Sequence, residues 1–376
     1  MIKVYFKRII TIISLIAIPL SVCFLTQNYT DNDSQRLSGF YQEEKNSLDM
    51  VMIGASDVYN AYSPALAYKQ YGYTSYPYAF GSDNLFLFKS QINEIFKNQN
   101  PSLIVIDLNA AISLERSFYD TIHDTENNDF DIVLRRYTDN IPLSENKIET
   151  VSKFGLNDDV LSYYVPFIMH HGSFNCIPST VEKYAQISRE YTYLKGIYAS
   201  NHQLEPAQLY DINGDYQEEP IFSDDEAELR SFLEYCSGLD CKVLFTKIPH
   251  RIVNDDKYKR FLKGNYLKSI VESYGFDYLN FDHCFSEIGL DVNTDFADDG
   301  HLNALGQRKF TNYFGKIVDD KYLVNRISQS QNNVDRWNQC IDYTDEFYKY
   351  YDEASKEVSL NETSDLIKEL SRRMKK

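Results

Sequence analysis

The sequence predicts an α/β fold, a three-layer α/β/α sandwich with a central parallel sheet, a helical insertion and C-terminal helices. Two observations predict it. Short apolar runs such as Leu103 to Leu108 lack polar alternation, as expected of strands buried on both faces. Between such runs lie stretches with apolar residues at helical spacing, and strand–helix alternation of this kind builds parallel sheets.

Taken in order, Leu48 to Ile53 reads as the first strand and Thr74 to Phe80 as the second. Asn84 to Asn98 carries Leu85, Phe88, Ile92 and Ile95 on one helical stripe. Leu103 to Leu108 is a buried strand. Ser223 to Ser237 has an acidic start and places Leu229, Phe232, Leu233 and Cys236 on one face, so it reads as a helix. Lys242 to Lys247 is the next strand, followed by Pro249. Tyr258 to Tyr274 is helical, Asp277 to Phe281 is a short strand, and Leu302 to Val318 is the last helix of the core. Residues 112–221 break the alternation and read as a helical insertion over the edge of the site, a lid or a substrate platform. Helical pieces fit at Ile148 to Phe154 and Thr180 to Leu194. In the tail, 323–376, Trp337, Ile341, Phe347 and Tyr351 follow helical spacing, which predicts amphipathic helices packed on the core.

The N-terminus reads as a membrane anchor. Lys3, Lys7 and Arg8 precede an uncharged apolar run over residues 9–26, at the lower length limit for a bilayer span. The basic flank assigns residues 1–8 to the cytoplasm and the rest of the chain to the outside. A cleaved signal peptide is the competing reading, but no Ala-x-Ala site follows the run. Residues 27–46 are polar and read as a tether to a domain spanning 47–322.

The 376-residue chain has 38 Lys plus Arg against 55 Asp plus Glu, and the net charge of −17 leaves no basic stripe for nucleic acid. Its 31 Tyr and 23 Phe can stack on sugar faces, but core filling is the commoner use of such rings. The six cysteines show no disulfide framework. Cys236 and Cys241 alone are spaced to bridge. The acidic stretch Asp124 to Asp131 lacks the glycine and terminal Glu of a calcium loop, and no phosphate-cradling glycine loop is present. No metal or cofactor is expected.

Chemistry concentrates in two places. Met50-Val-Met-Ile-Gly-Ala-Ser56 puts a serine just after a strand, on small residues that permit a tight turn. Far downstream, Asp298-Asp-Gly-His301 supplies a histidine and its carboxylate partner. A serine hydroxyl is a poor nucleophile until a base takes its proton, and a histidine does so best when a carboxylate fixes its tautomer. Ser56 is therefore the candidate nucleophile, His301 the base and Asp298 its orienting group, with Asp299 as competitor. Bland uses exist for each: Ser56 as a helix cap, His301 as a solvent-facing residue at a helix start. Gly81 and Asn109 also follow strand ends. With the Ser56 N–H they are the candidate oxyanion donors, against a strand-end turn for Gly81 and a helix N-cap for Asn109. His170 and His171 form a pair in the insertion, for which a structural role is favoured.

In this order the blocks resemble those of the SGNH/GDSL hydrolase superfamily. Gly54-Ala-Ser56 is similar to its serine block, Tyr78-Ala-Phe-Gly81-Ser82 to its glycine block, Ile104-Val-Ile-Asp-Leu-Asn109 to its asparagine block, and Asp298-Asp-Gly-His301 to its last block. The chain departs from the family where no Asp precedes Ser56 and where Asp107 stands in place of Gly. The resemblance implies a membrane-anchored, extracytoplasmic serine esterase or O-acyltransferase working through an acyl-Ser56 intermediate. Its expected substrates are acyl groups of cell-envelope polysaccharide or teichoic acid, or a small acyl ester. Its expected partners are the bilayer, through the N-terminal helix, and a membrane-bound O-acyltransferase. A catalytically silent scaffold of the same fold that binds glycan or a membrane partner, and a secreted lipase, are the rival expectations.

Overall fold

The computed structural model describes residues 2–26, 32–124, 129–155, 160–165, 168, 193–200, 204, 206–212, 214–323 and 325–354. The chain is an α/β protein with a central five-stranded parallel sheet flanked by helices. The strands are β1 (Met50–Gly54), β2 (Ser75–Ala79), β3 (Leu103–Asp107), β4 (Lys242–Lys247) and β5 (Asp277–Asn280), in spatial order β2-β1-β3-β4-β5. The three apolar runs expected as strands fall on β1, β3 and β4. Ile53 pairs with Tyr78 on one side and Ile106 on the other, and Ile106 pairs onward with Phe245. Pro77 has no N–H to give a ladder, and it sits in β2, at the sheet's edge.

β1, β3 and β4 are apolar on both faces because both are covered. Val51, Ile53, Ile104, Ile106 and Phe245 pack into one core with the helices Leu85–Asn98 and Ser223–Ser237. Met50, Met52, Leu103, Val105 and Leu244 pack into another with Phe310 and Phe314 of the helix Ala304–Ile317. The order of strands reverses between β1 and β3, and in open sheets of this kind the crevice beyond the strand ends at such a point is where ligands bind.

Three regions differ from, or extend, the sequence expectation. The expected tether holds a helix, α2 (Asn32–Tyr41), which lies against the sheet with Leu37 and Phe40 fully buried. Its Arg36 is buried too, donating to Asp33 at 2.7 Å and to the Gly196 carbonyl at 2.7 Å. Helical spacing of Leu37 and Phe40 outweighs the polar composition around them. The insertion contributes helices at Phe118–His123, Asp129–Thr138, Glu145–Phe154 and Val160–Tyr164. His170, His171 and most of the helix expected over Thr180 to Leu194 lie outside the described residues. In the tail a single helix, Gln331–Ala354, is described, and it buries Trp337, Phe347 and Tyr351.

The N-terminal helix α1 (Ile2–Thr26) carries apolar side chains that are exposed from Tyr5 to Leu20. Among the described residues no helix is long and apolar enough to cross a membrane. The side chains of residues 22–26, the last part of the anchor expected over 9–26, lie outside the described ones. Cys236 and Cys241 are free thiols, and burial pushes the Cys241 thiol up to about 11.

Candidate active site

β1 ends on Gly54 at φ 151°, a backbone state that other residues rarely adopt. A Cβ there would lie 2.8 Å from Val58 Cγ2 and 3.0 Å from Asp107 Cβ, so only glycine fits. This turn delivers Ser56 as the first residue of α3 (Ser56–Ala61). The helix is fixed from behind: Gln307 donates to the carbonyls of Tyr59 and Asn60 at 3.3 and 3.1 Å, and Tyr348 of the C-terminal helix donates to Gln307 at 2.7 Å.

Asp298 and His301 sit on a small antiparallel hairpin, β6 (Phe296–Asp298) and β7 (His301–Leu302), and face each other across it. Gly300 N–H donates to Asp298 Oδ1 at 2.7 Å and braces the carboxylate. Asn303 caps the helix that follows, accepting from the Leu305 and Gly306 amides at 3.0 and 3.2 Å, which leaves His301 out of the cap.

The hairpin brings His301 Nε2 to 2.7 Å from Ser56 Oγ. His301 Nδ1 lies 2.7 and 2.9 Å from the two Asp298 oxygens. The network assigns the tautomer: Nδ1–H donates to Asp298 and the Nε2 lone pair accepts from the Ser56 hydroxyl. Asp299 turns away, its carboxylate taking Arg251 Nη1 at 3.3 Å and its carbonyl the Arg251 amide at 3.1 Å. Burial disfavours charge on the His301 ring, but its hydrogen bond to Asp298 and the charges of Asp57 and Asp298 outweigh it. The pKa is raised above 6.5. Burial of the Asp298 carboxyl is likewise outweighed by its contact with His301, which lowers its pKa.

The other two candidates are held in contacts of their own. Gly81 N–H donates to both oxygens of Asp33 at 3.1 Å, and the Gly81 carbonyl accepts from Arg136 at 2.9 Å. Its amide is thus taken by a carboxylate. Asn109 is buried and donates from Nδ2 to the Ile248 carbonyl at 2.9 Å, while its Oδ1 is buried without a partner. Asp107, which stands where the resemblance expected glycine, is fully buried and ties two strand ends together. Its oxygens accept from the Ile248 amide at 2.8 Å and the Asn109 amide at 3.3 Å. Burial and the nearby Asp57 push its pKa up to about 8.

Sequence reasoning missed a second carboxylate–histidine pair. Asp57 directly follows Ser56, and its Oδ1 lies 2.5 Å from Nε2 of His250, with both side chains buried. His250 is anchored by its amide, which donates to Asp282 Oδ1 at 3.0 Å, and Asp282 itself pairs with the buried Lys247. His250 Nδ1 is buried without a hydrogen-bond partner. Burial pushes the His250 pKa down to about 4 despite Asp57. The charge and hydrogen bond of His250 overcome burial at Asp57 and hold its carboxyl well below the usual range. At neutral pH the pair is a carboxylate and a neutral ring. Lys257 stands close by: a Cβ on Gly300 would lie 3.0 Å from its Nζ, 3.5 Å from Asp298 Oδ1 and 4.0 Å from His250 Nε2. The available signal was position, since His250 follows a parallel strand end and Asp57 adjoins the candidate serine.

No protein-family model matches this chain, and a search of curated proteins finds no similar sequence.

Proposed function

We propose that the chain is a serine ester hydrolase or O-acyltransferase of the SGNH/GDSL type, on a three-layer α/β/α sandwich. The observation that carries this reading is the unbroken chain Ser56–His301–Asp298, with both links at 2.7 Å. Ser56 Oγ attacks the acyl carbonyl as its proton passes to His301 Nε2, and Asp298 balances the imidazolium. The tetrahedral intermediate collapses, the C–O bond to the alcohol breaks, and His301 returns the proton to that oxygen. Water or a sugar hydroxyl then attacks acyl-Ser56 by the same steps in reverse, which gives a deacylase or a transferase.

The negative oxygen of the intermediate needs donors. The Ser56 N–H and the second amide hydrogen of Asn109 fill that role, and Gly81 joins them only if Asp33 releases its amide. The exposed apolar side chains of α1 support a membrane anchor, with the catalytic domain outside the cell. A cell-envelope glycan is then the substrate within reach, and a membrane-bound O-acyltransferase a natural acyl donor partner. The occupied Gly81 amide favours the rival reading, a silent scaffold that binds glycan. A fluorophosphonate probe separates the two. The active enzyme is labelled at Ser56 and a Ser56→Ala variant is not. An unlabelled wild-type protein overturns the enzymatic reading.

A further inference from the structure

Beside the catalytic hairpin lies a groove of about 800 Å³, within the usual size range of ligand sites. Phe285 lines it and stacks on Phe296, with ring centroids 5.9 Å apart, two residues before Asp298. Ile252 and Asp282 also line it, and they belong to the loops that hold His250. The Ile252 carbonyl accepts from the Tyr210 amide at 3.0 Å, which fixes the far wall. The groove and the Ser56 site therefore share their loops.

Its lining has two properties. One is a supported aromatic shelf. Tyr216 stacks on His283 at 5.2 Å and 17°, and His283 is held in turn by Asn265 Oδ1 at 2.7 Å. Tyr216 remains 74% exposed, so a ring clamped from below offers an open face. Such an exposed ring makes poor use of its apolar area unless something flat and aliphatic covers it, as the C–H face of a pyranose does. The other property is charge. Glu287 and Asp291 line the groove, and among the described residues no Lys or Arg does. A uronate or phosphodiester strand would find repulsion there and no counter-charge.

We infer that this groove is a subsite for a glycan strand without anionic groups, with Tyr216 as its stacking platform. The inference rests on the acyl-transfer reading for its purpose, and it narrows the substrate to uncharged polysaccharide and away from teichoic acid. The binding itself is independent of Ser56.

The test uses full-length protein in detergent micelles with Ser56→Ala, so that no turnover intervenes. Calorimetric titrations compare uncharged oligomers of glucose, mannose and N-acetylglucosamine with oligogalacturonate and short polyglycerol phosphate. At least one uncharged series is expected to bind saturably and the anionic ones not to. Tyr216→Ala, at an exposed position that does not endanger the fold, should weaken binding about tenfold or more, and Tyr216→Phe should preserve it. Binding by none of the uncharged series overturns the inference. So does equal or tighter binding of an anionic strand, or an unchanged affinity in Tyr216→Ala. Fluorophosphonate labelling of the wild-type protein is scored separately, so loss of the serine chemistry and loss of the subsite give different results.

Discussion

Two carboxylate–histidine pairs hang on adjacent residues of one turn, and their environments drive them apart. His301 with Asp298 sits at the rim of the sheet, its side chain 29% exposed and Asp298's 58%. His250 with Asp57 is closed in, at 6% and 10%. The rim ring touches the serine and has its pKa raised; the enclosed ring touches no serine and is pushed down to about 4. A carboxylate partner alone does not make a base. Burial decides which imidazole takes up a proton near neutral pH, and position decides which one has a hydroxyl to take it from.

The largest break in this comparison comes from the rim. On the proposed reading, Ser56→Ala and His301→Ala should each lower ester turnover by roughly three or more orders of magnitude, because the nucleophile or its proton acceptor is gone. The measurement is kcat on a small acyl ester with contaminating esterase excluded. Near-normal turnover in either variant rejects the assignment. Wild-type activity should rise with pH as His301 loses its proton, with a midpoint above 6.5, since the base works only when neutral.

Asp298→Asn comes next. The ring keeps a hydrogen-bonding neighbour but loses the charge that fixes its tautomer, so kcat should fall by about 10²–10⁴. The midpoint of the pH profile should move down, because the hydrogen bond that most raises the His301 pKa is weakened and the Asp298 charge is gone. A rate loss without a downward midpoint would mean that Asp298 only positions the ring.

His250→Ala probes the enclosed pair, and its effect is on stability. It leaves the Asp57 carboxylate buried without its partner, at a cost of about 3 kcal/mol at neutral pH. His250 has a folded pKa below its unfolded one, so it contributes stability that is full above about 6.5 and lost as pH falls toward about 4. The variant should therefore lack that part of the wild-type decline between pH 6.5 and 4. Thermal melts at several pH values read both effects, and an unchanged slope rejects the assignment of a neutral buried ring.

The two pairs were unequally legible in the sequence. Asp298 and His301 announce themselves because their partnership is local, three residues apart across one hairpin. Ser56 was readable from a strand that ends in small residues. Asp57 and His250 are 193 residues apart, and nothing in either neighbourhood names the other. The same holds for Gly81, whose amide is taken by Asp33 from a stretch that composition marks as a tether. Strands β1, β3 and β4 were legible since burial on both faces leaves an unbroken apolar run. Helix α2 was not, because two apolar residues in a polar segment look like chance until the sheet they cover is known.

The smallest expected effect sharpens the comparison most. Asp57→Asn removes one charge and keeps the shape, since the amide oxygen can still accept from His250 Nε2–H. Asp57 contributes to the raised pKa of His301, so the variant's pH midpoint should fall, though less than in Asp298→Asn, where the hydrogen bond is altered as well. The rate above the midpoint should stay near wild type, because no group that touches the reacting atoms has changed. A charge this enclosed is poorly screened by salt, so the downward shift should persist when ionic strength is raised. A midpoint that stays put would show that the enclosed pair is electrically silent at His301. A shift that vanishes in salt would assign the effect to exposed charges instead. If the midpoint falls and holds in salt, the two pairs act as one device, in which the buried carboxylate sets the strength of a base it does not touch.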